Sequence, residues 1–246
     1  MKTRKLSSLL AALVLTFAAA FVAPAANASA GSKPAAAQSQ RVRVPLNLAI
    51  LVQDDVVSRV GSELEVTRDF IRSLPAGSRV MVGYIRTGSL QVRQPFTTDI
   101  ERAAAALRAP VGSTSASPYN PYVEVREALK NFQAGDPNRN VVLLVSDGLD
   151  VSRGFDWSSS VQSIDLNRAI REAKERGVSV YSFFAPSAGL TSWNRTAVNF
   201  GQSALNRLSN ETGGRAFFQG SSFVTFDAYF DRLGRTLNGQ SESAYE

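Results

Sequence analysis

Four short apolar runs, residues 46–52 (LNLAILV), 80–85 (VMVGYI), 141–145 (VVLLV) and 178–184 (VSVYSFF), restrict this chain to few architectures. None keeps the sustained alternation of a strand with one wet face. Each therefore reads as a strand buried on both faces, the pattern of a parallel sheet covered by helices. Between the runs the apolar spacing changes to steps of three and four. Val60, Leu64, Thr67, Ile71 and Leu74 fall on one face of a helix. Ala128, Leu129 and Phe132 mark a second helix, and Ile164, Ala169, Ile170 and Ala173 a third that Gly177 ends.

Strands alternating with helices predict a parallel sheet wound in both directions. Residues 90–96 depart from that rule, because the turn Thr87-Gly88-Ser89 is too short for a helical crossover. They are expected to return antiparallel, as a hairpin at the sheet edge. The tail predicts a helix over 204–210, a short strand over 215–219 after Gly213-Gly214, and a closing helix. Phe226, Tyr229, Phe230, Leu233 and Leu237 form a stripe on that last helix, read as core. The expected fold class is α/β: a Rossmann-like, doubly wound, mostly parallel central sheet with one antiparallel edge strand and helices on both faces. No internal repeat or second domain is visible.

Lys2, Arg4 and Lys5 precede an apolar run over 6–22, and small residues follow Pro24. That is the order of a secretory signal peptide, with cleavage expected after Ala28 or Ala30. An uncleaved anchor is the rival reading, but Ser7, Ser8 and Thr16 interrupt the run. The expected organisation is a signal peptide over 1–30, a flexible linker over 31–43 and one domain over 44–240, exported to the periplasm or the extracellular space. Losing the leader removes three positive charges and no negative ones, so the formal charge of +6 becomes +3. The remaining arginines are scattered, not gathered as a nucleic-acid-binding face would gather them. No stable membrane span is expected once the leader is removed.

The chain has no histidine and no cysteine. This excludes Ser-His-Asp and Cys-His catalysis, imidazole or thiolate zinc sites and a disulfide framework. Nucleotide-binding glycine motifs are missing as well. A hydrolase built on paired carboxylates and a metal has only those carboxylates in its favour, so the expectation is that the protein is not an enzyme.

Two aspartates follow apolar runs: Asp54 after the first and Asp147 after the third. In an open α/β sheet the carboxyl ends of the strands face the binding crevice. If the two strands are neighbours, the carboxylates converge. Ser58, four residues after Asp54, could face an ion there or cap the following helix. Oxygen ligands of this kind suit a hard cation such as Mg²⁺. The competing explanation is that strand-end aspartates are ordinary turn formers.

The segment from Leu46 to Asp54, the hairpin after it and Val141-Val142-Leu143-Leu144-Val145-Ser146-Asp147-Gly148 resemble von Willebrand factor A (VWA) domains, in particular the secreted VWFA-related proteins of acidobacteria. The resemblance covers roughly residues 44–238. It implies a doubly wound sheet with the first and fourth strands adjacent, and a metal-ion-dependent adhesion site. In the family that site takes a DxSxS motif after the first strand, a threonine from a later loop and an aspartate after the fourth strand. Here the motif reads Asp54-Asp55-Val56-Val57-Ser58, with Val56 in place of the middle serine. The resemblance thus implies Asp54, Ser58 and Asp147 as ligands of a weakened site for Mg²⁺, or Mn²⁺ or Ca²⁺. Thr114, Ser117 and Asn120 are the candidates for the third loop, and spacing does not choose among them.

Two long segments leave the same edge of the sheet, residues 110–122 with Tyr119 and Tyr122, and residues 185–200 with Trp193. Aromatic residues on loops dominate many protein contacts, although a loop can also bury its own aromatic. The expectation is an exported adhesion or assembly module that recognises an unidentified protein partner through these loops, Tyr119, Tyr122 and Trp193 included. The alternative is an envelope scaffold that works without metal.

Overall fold

The computed structural model of the chain describes residues 42–57, 63–118, 120–155, 163–218 and 226–238. The expected leader, most of the tether, Val60, Ser58 and Tyr119 lie outside the described residues. Val42 and Arg43, placed by the sequence at the end of the tether, already belong to the fold. Val42 is buried in the core, and the Arg43 amide donates to the Asn238 side chain at 2.9 Å.

The apolar runs become the central strands: β1 (Leu46–Gln53), β2 (Arg79–Arg86), β4 (Arg139–Ser146) and β5 (Ser179–Phe184). β3 (Ser89–Thr97) returns antiparallel along β2, and Thr87 and Gly88 both take positive φ to close the turn. That pair of left-handed residues matches the twist of a two-residue hairpin. The expected last strand is reduced to β6 (Ala216–Phe217). Among the described residues the sheet order is β3-β2-β1-β4-β5-β6, parallel except for β3.

Six helices complete the described fold: α1 (Leu64–Arg72), α2 (Ile100–Ala105), α3 (Pro121–Leu129), α4 (Ile164–Glu175), α5 (Arg195–Glu211) and α6 (Phe226–Leu237). Residues of α1, α2 and α6 share one core with Leu48, Ile50, Val82 and Tyr84. Those of α3, α4 and α5 share the other with Ala49, Leu51, Val142 and Leu144. Each β1 residue thus buries its side chain on the face opposite to its neighbour's, which is why the run reads as continuously apolar. The aromatic stripe of α6 is core, as expected. Phe183 meets the rings of Phe226, Tyr229 and Phe230 at centroid distances of 5.0 to 5.4 Å, and Phe70 stacks on Phe230 at 4.4 Å.

Two helices differ from the sequence expectation. α2 has no apolar stripe long enough to announce it, and it starts because Asp99 accepts the Arg102 amide as its cap. α5 begins at Arg195, nine residues before the expected start. Asn194 caps it through the Ala197 amide, and Gly201 in its first half hides the helical pattern. The segment 185–200 is therefore a shorter loop than its sequence suggests.

Candidate functional site

β1 pairs with β2 on one side and β4 on the other, so the order of winding reverses between β1 and β4. Val52 aligns with Val145, which places the residues that follow both strands at one level of the carboxyl edge. This is the switch point where a crevice forms in open α/β sheets. Three loops meet there. The Ala188 amide donates to the Asp55 carbonyl at 2.8 Å, the Val57 amide to the Pro186 carbonyl at 3.0 Å, and the Gly112 amide to the Asp54 carbonyl at 3.0 Å.

Asp54 is fully buried, and its partner is Arg108. The guanidinium donates through both terminal nitrogens, Nη1 to Oδ1 at 2.6 Å and Nη2 to Oδ2 at 2.9 Å. Oδ1 also accepts the Val111 amide at 3.1 Å, and Arg86 Nη1 lies 3.6 Å from Oδ2. Arg108 sits over the Tyr84 ring with its Cζ 4.0 Å from the centroid. The Tyr84 hydroxyl donates to the Arg108 carbonyl and accepts from the Arg108 amide, both at 2.7 Å. Guanidinium and side-chain root are both fixed, and bonding to Asp54 raises the Arg108 pKa further.

The carboxylate that feels Asp147 is Asp55. β1 ends at Gln53, and Asp54 and Asp55 lie in the turn that follows, closed by the Val56 amide on the Gln53 carbonyl at 3.4 Å, from which the two carboxylates go to different partners. Gln53 Oε1 accepts from the Ser146 hydroxyl and the Asp147 amide, and Nε2 donates to Asp55 Oδ1 at 2.7 Å. Asp55 is fully buried, and its Oδ2 has no hydrogen-bond partner. Burial, and after it the charge of Asp147, push its pKa to about 6, against hydrogen bonding from Gln53 and Ser117. Asp147 Oδ1 accepts the Leu149 amide at 3.1 Å and Oδ2 the Thr191 hydroxyl at 3.2 Å. Burial raises its pKa too. A cavity of about 190 Å³ opens beside this pair, lined by Gln53, Ser117, Asp147, Ser187 and Leu190 among others.

The third-loop candidates separate. Ser117 is half-buried and borders the cavity beside Asp55. Thr114 is exposed on the cavity rim, in a short 3-10 turn. Asn120 is buried elsewhere. It caps α3 by accepting the Tyr122 amide, and its Nδ2 donates to Asp150 at 3.1 Å and Asp165 at 2.9 Å. Tyr122 is corrected as a contact residue: it is fully buried in α3, and its hydroxyl donates to the Gly148 carbonyl at 2.6 Å. The hydroxyl needs a partner when the ring is buried, and the Asp147-Gly148 turn supplies one. Trp193 is 71 % exposed at the end of a 3-10 turn, and Val111 on the neighbouring loop is 48 % exposed.

A divalent cation is the group that the resemblance implies, and the described residues do not fit it. Such an ion takes oxygen ligands in number. Both Asp54 oxygens are taken by Arg108, with the Val111 amide and Arg86 beside them, and Val56, buried and apolar, offers no oxygen in the motif. Asp55 Oδ2 is the one buried side-chain polar atom without a partner among the described residues, and it is sealed from solvent. Among those residues no three acidic side chains gather at one point.

Strand order, the antiparallel edge and the two helical layers give the chain the fold of a von Willebrand factor A domain. It is similar in structure to BatB from Bacteroides thetaiotaomicron, with a TM-score of 0.57 and 12% identity over 82% of this chain and 100% of that one. It is also similar to an aerotolerance-related membrane protein from Bacteroides fragilis, at 0.51 and 13% over 78% of this chain and 99% of that one. The VWA domain of SpRpn10 superposes more loosely, at 0.47 and 12% over 81% and 96%. No family model matches the sequence, and no curated protein matches it either.

Arg108, Gln53, Asp55 and Thr191 were not legible as site residues. Asp55 was visible inside the motif beside Asp54, but no local pattern told the two carboxylates apart, since both lie in the turn after β1. Arg108 and Thr191 carried no signal, because their partners lie 54 and 44 residues away.

Proposed function

We propose that the protein is an exported protein-binding module, not an enzyme, whose contact surface is the carboxyl edge of the sheet around Trp193. The exposed indole carries this reading. A large aromatic ring is costly to leave in water, and here it stands on a backbone held by the Leu190–Ser192 turn and the Asn194 cap. Exposed aromatics on fixed loops are what contact hot spots are made of. Val111 is a second large apolar side chain left exposed on a loop of this edge. The sequence of the first thirty residues supports export, and among the described residues no helix is long and apolar enough to cross a membrane. The buried carboxylates, without histidine or cysteine, offer no nucleophile–base pair to a substrate.

A photo-crosslinking residue at position 193, compared with one at exposed Arg171 on α4, tests this in intact cells. A discrete protein adduct from 193 and none from 171 supports the reading. Equal smears, or no adduct from 193, reject it.

A further inference from the structure

We propose that the guanidinium of Arg108 gives Asp54 the counter-charge that the resemblance assigns to a divalent cation, so that this edge is held by an internal cation and meets its partner without a metal. The second half rests on the contact surface proposed above, and the first half stands by itself.

A cation at a switch point does two things: it neutralises a strand-end carboxylate and it ties separate loops together. Arg108 does both. Its fork covers both oxygens of Asp54, a carboxylate with no exposure to solvent. A buried carboxylate needs a charged or multiply donating partner of this kind. The loop that brings Arg108 then lands on the same residue, through the Val111 amide on Oδ1 and the Gly112 amide on the carbonyl. Nη1 also donates to the Ala109 carbonyl at 2.9 Å, which folds the side chain back on its own loop. Arg86 adds a second positive charge 3.6 Å from Oδ2. A guanidinium differs from a metal ion in two ways: its donors point in fixed directions, and it cannot be removed by a chelator or exchange its ligands. The edge is consequently assembled whenever the chain is folded, whatever the divalent-cation level outside the cell.

The test is thermal melting of the purified protein in chelator and in millimolar Mg²⁺, Mn²⁺ or Ca²⁺. The wild type is expected to melt at one temperature throughout. Arg108→Ala is expected to melt lower in chelator and to recover part of the loss when the cation is added, because both hydrogen bonds of the fork are gone and only Arg86, 3.6 Å from Oδ2, is left as counter-charge. A wild-type melting point that rises with the cation overturns the proposal, and so does an Arg108→Ala protein that stays insensitive to it. Should that variant not fold, substoichiometric Mn²⁺ decides on the wild type alone. Broadening of the Asp54, Asp55 and Asp147 amide resonances overturns the proposal, and unchanged lines support it. Crosslinking at 193 separates the two readings. An adduct that requires Mg²⁺ overturns metal independence and leaves the contact surface standing, whereas a missing adduct with flat melting curves does the reverse.

Discussion

Gly201 in α5 lies against the carbonyl oxygen of Asp147 so closely that a Cβ at 201 would sit 1.8 Å from it. The contact is reciprocal: a Cβ on Gly148, whose φ is +72°, would sit 2.5 Å from the Gly201 carbonyl oxygen. Backbone meets backbone where the fourth strand gives way to its turn, so the position of the Asp147 side chain depends on a glycine 54 residues later. Gly201→Ala should gain about 1 kcal/mol of helix propensity and still destabilise by about 2 kcal/mol or more, since neither backbone can rotate away. Denaturant melts of the two proteins check this, and an alanine variant as stable as the wild type contradicts the contact.

Asp55 sets a pH dependence. Its folded pKa of about 6 lies above the ordinary 3.8, so the folded state holds a proton that the unfolded chain releases. This group's contribution is full below about pH 4 and is lost as pH rises to about 6, an effect of up to about 3 kcal/mol. Asp147 is shifted in the same direction. Asp55→Asn keeps the oxygen that accepts from Gln53 and removes the charge. It should stabilise the protein at pH 7.5 and gain little at pH 4, measured as the difference between wild-type and variant unfolding free energies. A difference independent of pH would show that Asp55 does not titrate as described.

Two of the three aromatics expected as loop contacts, Tyr122 and Trp193, should behave in opposite ways. Tyr122→Phe removes the buried hydroxyl from Gly148 and leaves that carbonyl unpaired, at a cost of about 1–3 kcal/mol. Trp193→Ala should stay within about 0.5 kcal/mol of the wild type, as an exposed substitution does. Equilibrium unfolding of both variants decides the matter, and a large loss at 193 would place the indole in the core.

Asn120 joins two carboxylates through one amide. Asn120→Asp retains the oxygen that caps α3 but faces Asp150 and Asp165 with a third negative charge where they had a donor. The variant should therefore lose more stability in equilibrium unfolding than Asn120→Ser, which keeps a cap oxygen and brings no charge. An equal loss in the two variants would point to packing in place of charge.

Taken alone, the sequence determined the architecture. Apolar runs too continuous for a half-wet sheet required burial on both faces, the Thr87-Gly88 turn required an antiparallel edge, and the spacing of Phe226, Tyr229, Phe230 and Leu233 required an inward stripe. All of these are local periodicities, and the hydrophobic effect acts on them whatever the distant chain does. Asp147, which the sequence put at the carboxyl edge, lines the cavity there, and Trp193, which it put on a loop, is exposed. What it left open was decided by contacts between segments far apart. Asp54 and Asp55 are adjacent and chemically identical, yet the turn after β1 sends one to Arg108 and the other toward Asp147. Tyr122 lies on a segment that reads as a loop, yet Asn120 starts α3 early enough to draw it into the core. A side chain's partners are set by which loops arrive beside it, and that depends on the order in which strands pair and helices cross the sheet. The guanidinium that holds Asp54 is thus a property of the tertiary structure, invisible in any motif around Asp54 itself.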